Sequence, residues 1–381
     1  MKVTRSIKLH FSRWLTSAKK KNIAEFFEVC HGGMCNMLSP VENQIRQGKS
    51  CFDMLKKNAI VAPTAGISAR LRQNLIQNLY AQVNGHLKLS ATLNKQYKTP
   101  RIKKGSLFLS SSVSRIVTSP ELVDFDLLVE LHSTGMPKLA IPLKRNRLLN
   151  AYLKTQGAKL CTSILMTTSY VQVTVEFDVS KRSTGGVIGV DPGAINLIAT
   201  DAGTMYGTCI PSLLRKLRRK KRYSTAWYRC KKEISSYVAH TVKQLPLQDI
   251  SLLVLEDNRG IRHNRKQRGR LCRNIRSFLD GWTAGELSRR IEYATQSNGV
   301  SLRRVSAWNN SIHCPACGRI GKDNRLNQST FKCAGCGHSA HADSVGALNV
   351  LARFSLGKYG SEYKELFMKK HPSYVLGNAF L

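Results

Sequence analysis

Two pairs of cysteines, Cys314-Pro-Ala-Cys317 and Cys333-Ala-Gly-Cys336, stand fifteen residues apart. Two thiolates on a tight knuckle bind one face of a tetrahedral ion, and a second knuckle closes the shell. Gly318 and Gly337 follow the pairs, where the knuckle turn needs a permissive backbone. Four sulfurs leave no open coordination position, so the spacing predicts structural zinc. His313, His338 and His341 lie nearby; they are read as neighbours of the ion and not as ligands. Cys30-His31 with Cys35 has no partner pair and is read as incidental.

Three carboxylates suggest a second, different metal chemistry. Asp191 closes the apolar run Val187-Ile188-Gly189-Val190 and precedes Pro192-Gly193. Glu256 ends a second apolar run, Leu252-Leu253-Val254-Leu255, with Asp257 beside it. Asp343 opens a helical pattern that carries Val345, Leu348, Val350 and Leu351. Taken singly, these are a turn former, a surface acid and a helix cap. Taken together, they place three of only 23 acids at the ends of core elements. Hard oxygen ligands meeting there would hold two Mg²⁺ about 3.5–4 Å apart, activating a water and stabilising a leaving oxygen in phosphodiester hydrolysis. Without cations they would repel one another.

Two basic stretches flank these acids. Residues 211–232 hold ten Lys or Arg and no acid, with Tyr223, Trp227 and Tyr228 interleaved. Residues 259–276 hold eight and no acid. A solvated helix face would carry balancing acids, so both runs are read as phosphate-binding. The residues singled out are Arg215, Lys216, Arg218, Arg219, Lys220, Lys221 and Arg222 in the first run, and Arg265, Lys266, Arg268 and Arg270 in the second. The aromatics are read as core residues before base-stacking ones.

The whole chain agrees with a polyanion partner. Its 381 residues carry 60 Lys and Arg against 23 Asp and Glu, a net charge of +37. Phosphates neutralised by such side chains release condensed counterions. A hydrophobic share of 42% excludes a disordered polycation. The seven remaining cysteines (30, 35, 51, 161, 209, 230 and 272) are scattered, which excludes a small disulfide scaffold and points to a reducing compartment. No run approaches the roughly 18 apolar residues of a membrane span, and no signal-peptide core is seen. The expected protein is soluble, cytoplasmic and nucleoid-associated, and makes no membrane contact.

The elements that must position these groups follow from periodicity. Residues 3–11 alternate as a strand, and residues 12–95 turn helical, with Leu71, Leu75, Ile76, Leu79 and Val83 on one helix face. Short strands fill 100–178, among them the single run SLFLSSSVSRIV, and suggest a small antiparallel barrel or sheet. From 186 the pattern becomes a three-strand meander, a helix or helix pair, a strand, a helix over 282–298, a strand, the cysteine insert and a last helix over 342–354. That order fits an RNase H-like α/β layer.

The motifs GVIGVDPG, LLVLEDNRG and CPACG…CAGCGHSAHADSVGALNVL resemble the three split nuclease motifs of the TnpB family, transposon-encoded RNA-guided nucleases related to the type V CRISPR effectors. WTAGELSRRIEY, residues 282–293, resembles the family's stretch before its zinc knuckles. The match covers roughly residues 185–354. The resemblance implies a multidomain α+β protein. A wedge-like β-barrel would span 1–11 and 96–180, with a helical recognition domain inserted at 12–95. A RuvC-like nuclease domain would span 185–307 and 341–354, with a zinc-ribbon insert at 308–340 and a tail at 355–381.

The resemblance further implies that Asp191, Glu256 and Asp343 are the Mg²⁺-dependent catalytic triad of an endodeoxyribonuclease. Its partners would be a guide RNA from its own prokaryotic element and double-stranded target DNA, bound by a monomer or dimer. The family's last motif often has Asn two residues after its Asp, where this chain has Val345. The rival readings are an RNA-guided binding protein that represses without cutting and an unguided transposon-associated nuclease.

Overall fold

The computed structural model describes residues 1–11, 15–56, 59–60, 66–92, 94–118, 124–132, 139–193, 195–257, 284–307 and 309–355. The chain divides into two compact units, one over Lys2–Asp178 and the other over Val179 onward together with Met1.

In the first unit, strict alternation fixes the register of two nine-residue strands. β1 (Lys2–His10) buries every second residue, including Val3, Ile7 and Leu9. β8 (Tyr170–Asp178) buries Val171, Val173, Val175 and Phe177. They pair antiparallel from Lys2↔Asp178 to His10↔Tyr170. A one-residue slip would turn both apolar rows outward. The helical region between them forms α1 (Ser17–Arg46), α2 (Cys51–Met54) and α3 (Ala69–Thr92). The Thr16 side chain caps α1 by accepting from Lys19 N–H. α3 buries the face read from the sequence, Leu71, Leu75, Ile76, Leu79 and Val83.

The remaining strands of this unit are β2 (Ser106–Leu109), β3 (Ser114–Val117), β4 (Leu127–Leu131), β5 (Leu139–Leu143), β6 (Lys159–Leu160) and β7 (Ile164–Thr167). They correct the barrel expectation. One sheet runs β1-β8-β7-β2 with β6 also on β8, another runs β3-β4-β5, and the described residues contain no closed barrel. The physical reason lies in SLFLSSSVSRIV, expected as one strand. Its serines turn the chain: Val113 and Ser114 N–H groups donate to Ser110 O, and the Ser110 and Ser112 hydroxyls lie 2.8 Å apart. β2 and β3 therefore enter different sheets. The basic segment around 147 forms α4 (Arg147–Leu153), capped by Asn146.

In the second unit, β9 (Gly186–Asp191), β10 (Ile198–Thr200), β11 (Met205–Tyr206), β12 (Ile250–Asp257) and β13 (Ser301–Ser306) form one sheet in the order β11-β10-β9-β12-β13. β9 and β13 run parallel to β12, whereas β10 pairs antiparallel with β9 and β11 antiparallel with β10. β12 is buried on both faces, as its unbroken apolar run requires. Leu253 and Leu255 enter a core with α5 (Ile210–Arg218), α6 (Thr225–Lys243) and α7 (Ala284–Ser297). Val254 enters the opposite core with Val305 and Val350, the latter from α8 (Ala342–Ser355). A hairpin of β14 (Thr330–Lys332) and β15 (Ser339–His341) carries the second cysteine pair between its strands. The result is a mixed α/β protein of more than one unit.

Candidate functional site

Parallel pairing brings the first two acids together. The β9–β12 register ends at Val190↔Leu255, so Asp191 and Glu256 come next on neighbouring strand ends. Glu256 lies near enough to act on the Asp191 carboxyl. α8 brings the third acid by lying close against β9. A Cβ on Gly189 would stand 2.5 Å from Ala347 O, and one on Gly346 would stand 2.2 Å from Asp191 Oδ2. Asp343, in the first turn of α8, is 8% exposed.

Four further residues hold this cluster. Asn196 Nδ2 donates to Asp343 Oδ2 at 2.9 Å. Asn310 Nδ2 donates to Glu256 Oε1 at 3.2 Å and to Gly346 O at 2.9 Å, tying β12 to α8. Arg325, from the cysteine insert, reaches to 3.9 Å from Asp343 Oδ1. Its guanidinium is fixed from behind by donating to Gln328 O and Asn327 O. His341 Nδ1 accepts the Asp343 N–H.

Burial, then the adjoining Glu256 carboxylate and the charge of Asp343, push Asp191 well above the usual carboxylate range; Arg325 opposes this. A cation placed among the three acids would reverse that shift. The buried Oδ1 of Asn310 has no partner. Among the described residues, only the four cysteines bring three or more such ligand atoms within 4.8 Å of one another. No such set is formed by the oxygens of Asp191, Glu256 and Asp343.

The cysteine cluster is geometrically complete. Cys314 and Cys336 Sγ lie 3.7 Å apart, and Cys317 and Cys333 Sγ lie 3.5 Å apart. Metal–sulfur bonds of about 2.3 Å in a tetrahedron require S···S edges of about 3.8 Å, and a disulfide needs about 2.05 Å. Gly318 (φ 76°) and Gly337 (φ 75°) close the two knuckles in the left-handed region. Asn324, fully buried, joins them by donating to Arg319 O and Ile312 O and accepting from Ala334 N–H. Burial opposes the Cys333 thiolate, but the N–H groups of Cys336 and Gly335 outweigh it and bring the thiol down to about 6. Burial pushes Cys317 up to about 12. Such a split suits a site whose remaining protons leave when a metal enters.

Arg215, Lys216, Arg218, Arg219, Lys220, Lys221 and Arg222 are all exposed on α5 and the turn after it, and Lys216 pairs with Glu233 at 2.8 Å. Arg265, Lys266, Arg268 and Arg270 lie outside the described residues. Cys35 Sγ approaches His31 at 3.7 Å, and burial lifts Cys30 to about 12, but no third ligand joins them among the described residues. Val345 is fully buried against Cys314, Phe331 and Cys333. That position is packing surface between α8 and the insert.

Sequence reading missed Asn196, Asn310, Asn324 and Arg325. Only Asn196, five residues after Asp191 in the same turn, was near enough to a named acid to be found. Arg325 and the other two act through tertiary contact.

Residues 285–350 match the Cas12f1-like TNB domain family. InsQ of Escherichia coli (strain K12), which bears the name of an RNA-guided DNA endonuclease, is 29% identical over 215 residues, 48% of this chain and 53% of its own. The CRISPR-associated endodeoxyribonuclease Cas12f1 of Sulfoacidibacillus thermotolerans is 36% identical over 73 residues, 19% of this chain and 17% of its own. The chain thus matches about half the length of the first relative and under a fifth of the second. The structure of the mini-RNA-guided endonuclease CRISPR-Cas_phi3 shares the fold at a TM-score of 0.50 and 12% identity, covering 93% of each chain. Among the described residues, no helix is long and apolar enough to cross a membrane. The resemblance to the TnpB family carried by the split motifs is borne out by these relatives.

Proposed function

We propose that this protein is an RNA-guided DNA endonuclease whose cutting centre is Asp191, Glu256 and Asp343. The reading is carried by one observation: acids from two strand ends and a helix start come together, so that burial, the Glu256 carboxylate and the charge of Asp343 push the Asp191 carboxyl well above its usual range. A protein with so few acids gains nothing in stability from forcing three together. The donor set of carboxylate oxygens fits hard divalent cations, with Mg²⁺ the natural occupant. Bound there, the ions would supply an activated water and stabilise the leaving oxygen of a phosphodiester.

The protein's own groups prepare that centre. Asn196 holds Asp343 Oδ2 and Asn310 holds Glu256 Oε1. Arg325 keeps a fixed positive charge beside the acids, where a phosphate would enter. The cysteine cluster would hold a structural zinc and thereby anchor the loop that carries Arg325. The exposed cations of residues 215–222, and those of 265–270, would hold nucleic-acid phosphates. By resemblance, the unit over Lys2–Asp178 would hold the guide RNA and read a short motif beside the target, in a wedge and recognition arrangement.

The test is Asp191→Ala purified with its copurifying RNA, sequenced to define the target. The variant should keep RNA and target binding and lose cutting in Mg²⁺. Cutting at the wild-type rate would refute the assignment.

A further inference from the structure

The turn between α5 and α6 holds an arrangement that neither the fold nor the proposed cutting centre explains. Tyr223 sits there at φ 65°, in the left-handed region. A bulky L residue is disfavoured in that region by roughly 1–2 kcal/mol. Burial does not offset this, because the side chain is 73% exposed. The strained backbone instead sets the Tyr223 ring 5.7 Å from that of Trp227, which in turn lies 5.1 Å from the ring of Tyr228. Trp227 is anchored: its side chain packs on the α5–α6–α7 core, and its backbone N–H donates to Ser224 Oγ. Tyr228 is 56% exposed.

A helix-start staple is the ordinary use of an apolar pair here, but a staple buries its side chains. These two stay largely exposed beside a fixed indole, Tyr223 tilted to it by 52° and Tyr228 meeting it edge-on at 84°, so that each offers its own ring to solvent. Around them the segment 211–232 carries ten cations and no acid, and Lys231 Nζ lies 6.0 Å from the Trp227 ring centre.

We propose that Tyr223, Trp227 and Tyr228 form a stacking ledge for the unpaired bases of a single nucleic-acid strand, whose phosphates run along the flanking arginines and lysines. Open aromatic faces bind bases, a duplex offers such faces only at its ends, and cations alone would bind both forms. The inference deepens the nuclease reading but needs no cleavage, so its test stands apart from that of Asp191.

The test uses the full chain, fluorescent ten-nucleotide single strands of DNA and of RNA, an abasic DNA strand of equal charge, and a short duplex. Tyr223→Ala/Tyr228→Ala should weaken binding of base-bearing strands about tenfold or more, from roughly 1–3 kcal/mol per stacked base. Abasic and duplex affinities should stay within twofold, and Tyr223→Phe/Tyr228→Phe should bind as wild type. The DNA and RNA arms tell which strand the ledge prefers. Tyr228→Ala alone, on an exposed helix position, gives the same reading if the double variant folds poorly. Unchanged binding of base-bearing strands, or an equal loss on abasic DNA, would overturn the proposal.

Discussion

Gly346→Ala separates the candidate centre from the fold that carries it. On an ordinary helix this change is stabilising by about 0.8–1.0 kcal/mol, through helix propensity. In α8 the added Cβ would lie 2.2 Å from Asp191 Oδ2 and 2.9 Å from its Cγ. The helix cannot retreat easily, because Gly189 and Ala347 lock it against β9. The Asp191 carboxylate, at the end of a rotatable side chain, must turn away. Moving it costs about as much as the propensity gain, so stability should change by less than about 1 kcal/mol, or a few degrees in Tm. A catalytic group misplaced by about 1 Å loses roughly a hundredfold in rate. The assay is Mg²⁺-dependent cutting of a target defined by the copurified RNA, with a thermal melt and target binding measured on the same preparation. Expected are a near-wild-type melt, normal binding and at least a hundredfold slower cutting. A stabilised variant that cuts normally would show that the Asp191 carboxylate is not needed where the structure places it.

Other expectations follow from the same contacts. Mass spectrometry under native conditions should find one zinc per chain, and Cys317→Ser should lose it; full zinc retention in the variant would contradict the four-sulfur shell. In metal-free protein Asp191 has a raised folded-state pKa, so the stability it contributes is present below the ordinary value of 3.8 and is lost as pH rises through the raised value. Asp191→Asn should therefore raise Tm at pH 7 and leave it near wild type at pH 3.5, as followed by thermal melts in chelator. Arg325→Ala should slow cutting at least tenfold without releasing zinc, checked by metal analysis beside the cleavage assay. Asn310→Ala removes the hydrogen bonds to both Glu256 Oε1 and Gly346 O that tie β12 to α8, and should cost about 1–3 kcal/mol in chemical denaturation.

What could be read before the fold was known divides along physical lines. The cysteine pairs were legible because a knuckle is local: two ligands and a left-handed glycine lie within five residues. Asp191 and Glu256 were legible because each breaks an apolar strand at its end, and the parallel β9–β12 register turns that position into contact. Asn310, Asn324 and Arg325 were not, because polar loop residues carry no period and acquire their partners only when the insert packs on α8. The barrel failed on Ser110–Ser112, where alternation of apolar residues continued while serine hydroxyls turned the backbone. The exposed rings of Tyr223, in the turn before α6, and of Tyr228, on α6, read as core from sequence, since spacing does not show which side of this segment is covered.

The central claim is that three acids share divalent cations. Anomalous diffraction from crystals soaked in Mn²⁺ would test it most directly. Manganese peaks bounded by the carboxylates of Asp191, Glu256 and Asp343 are expected, as is their absence in Asp191→Ala. Peaks confined to other surfaces, with the three carboxylates unliganded, would contradict it.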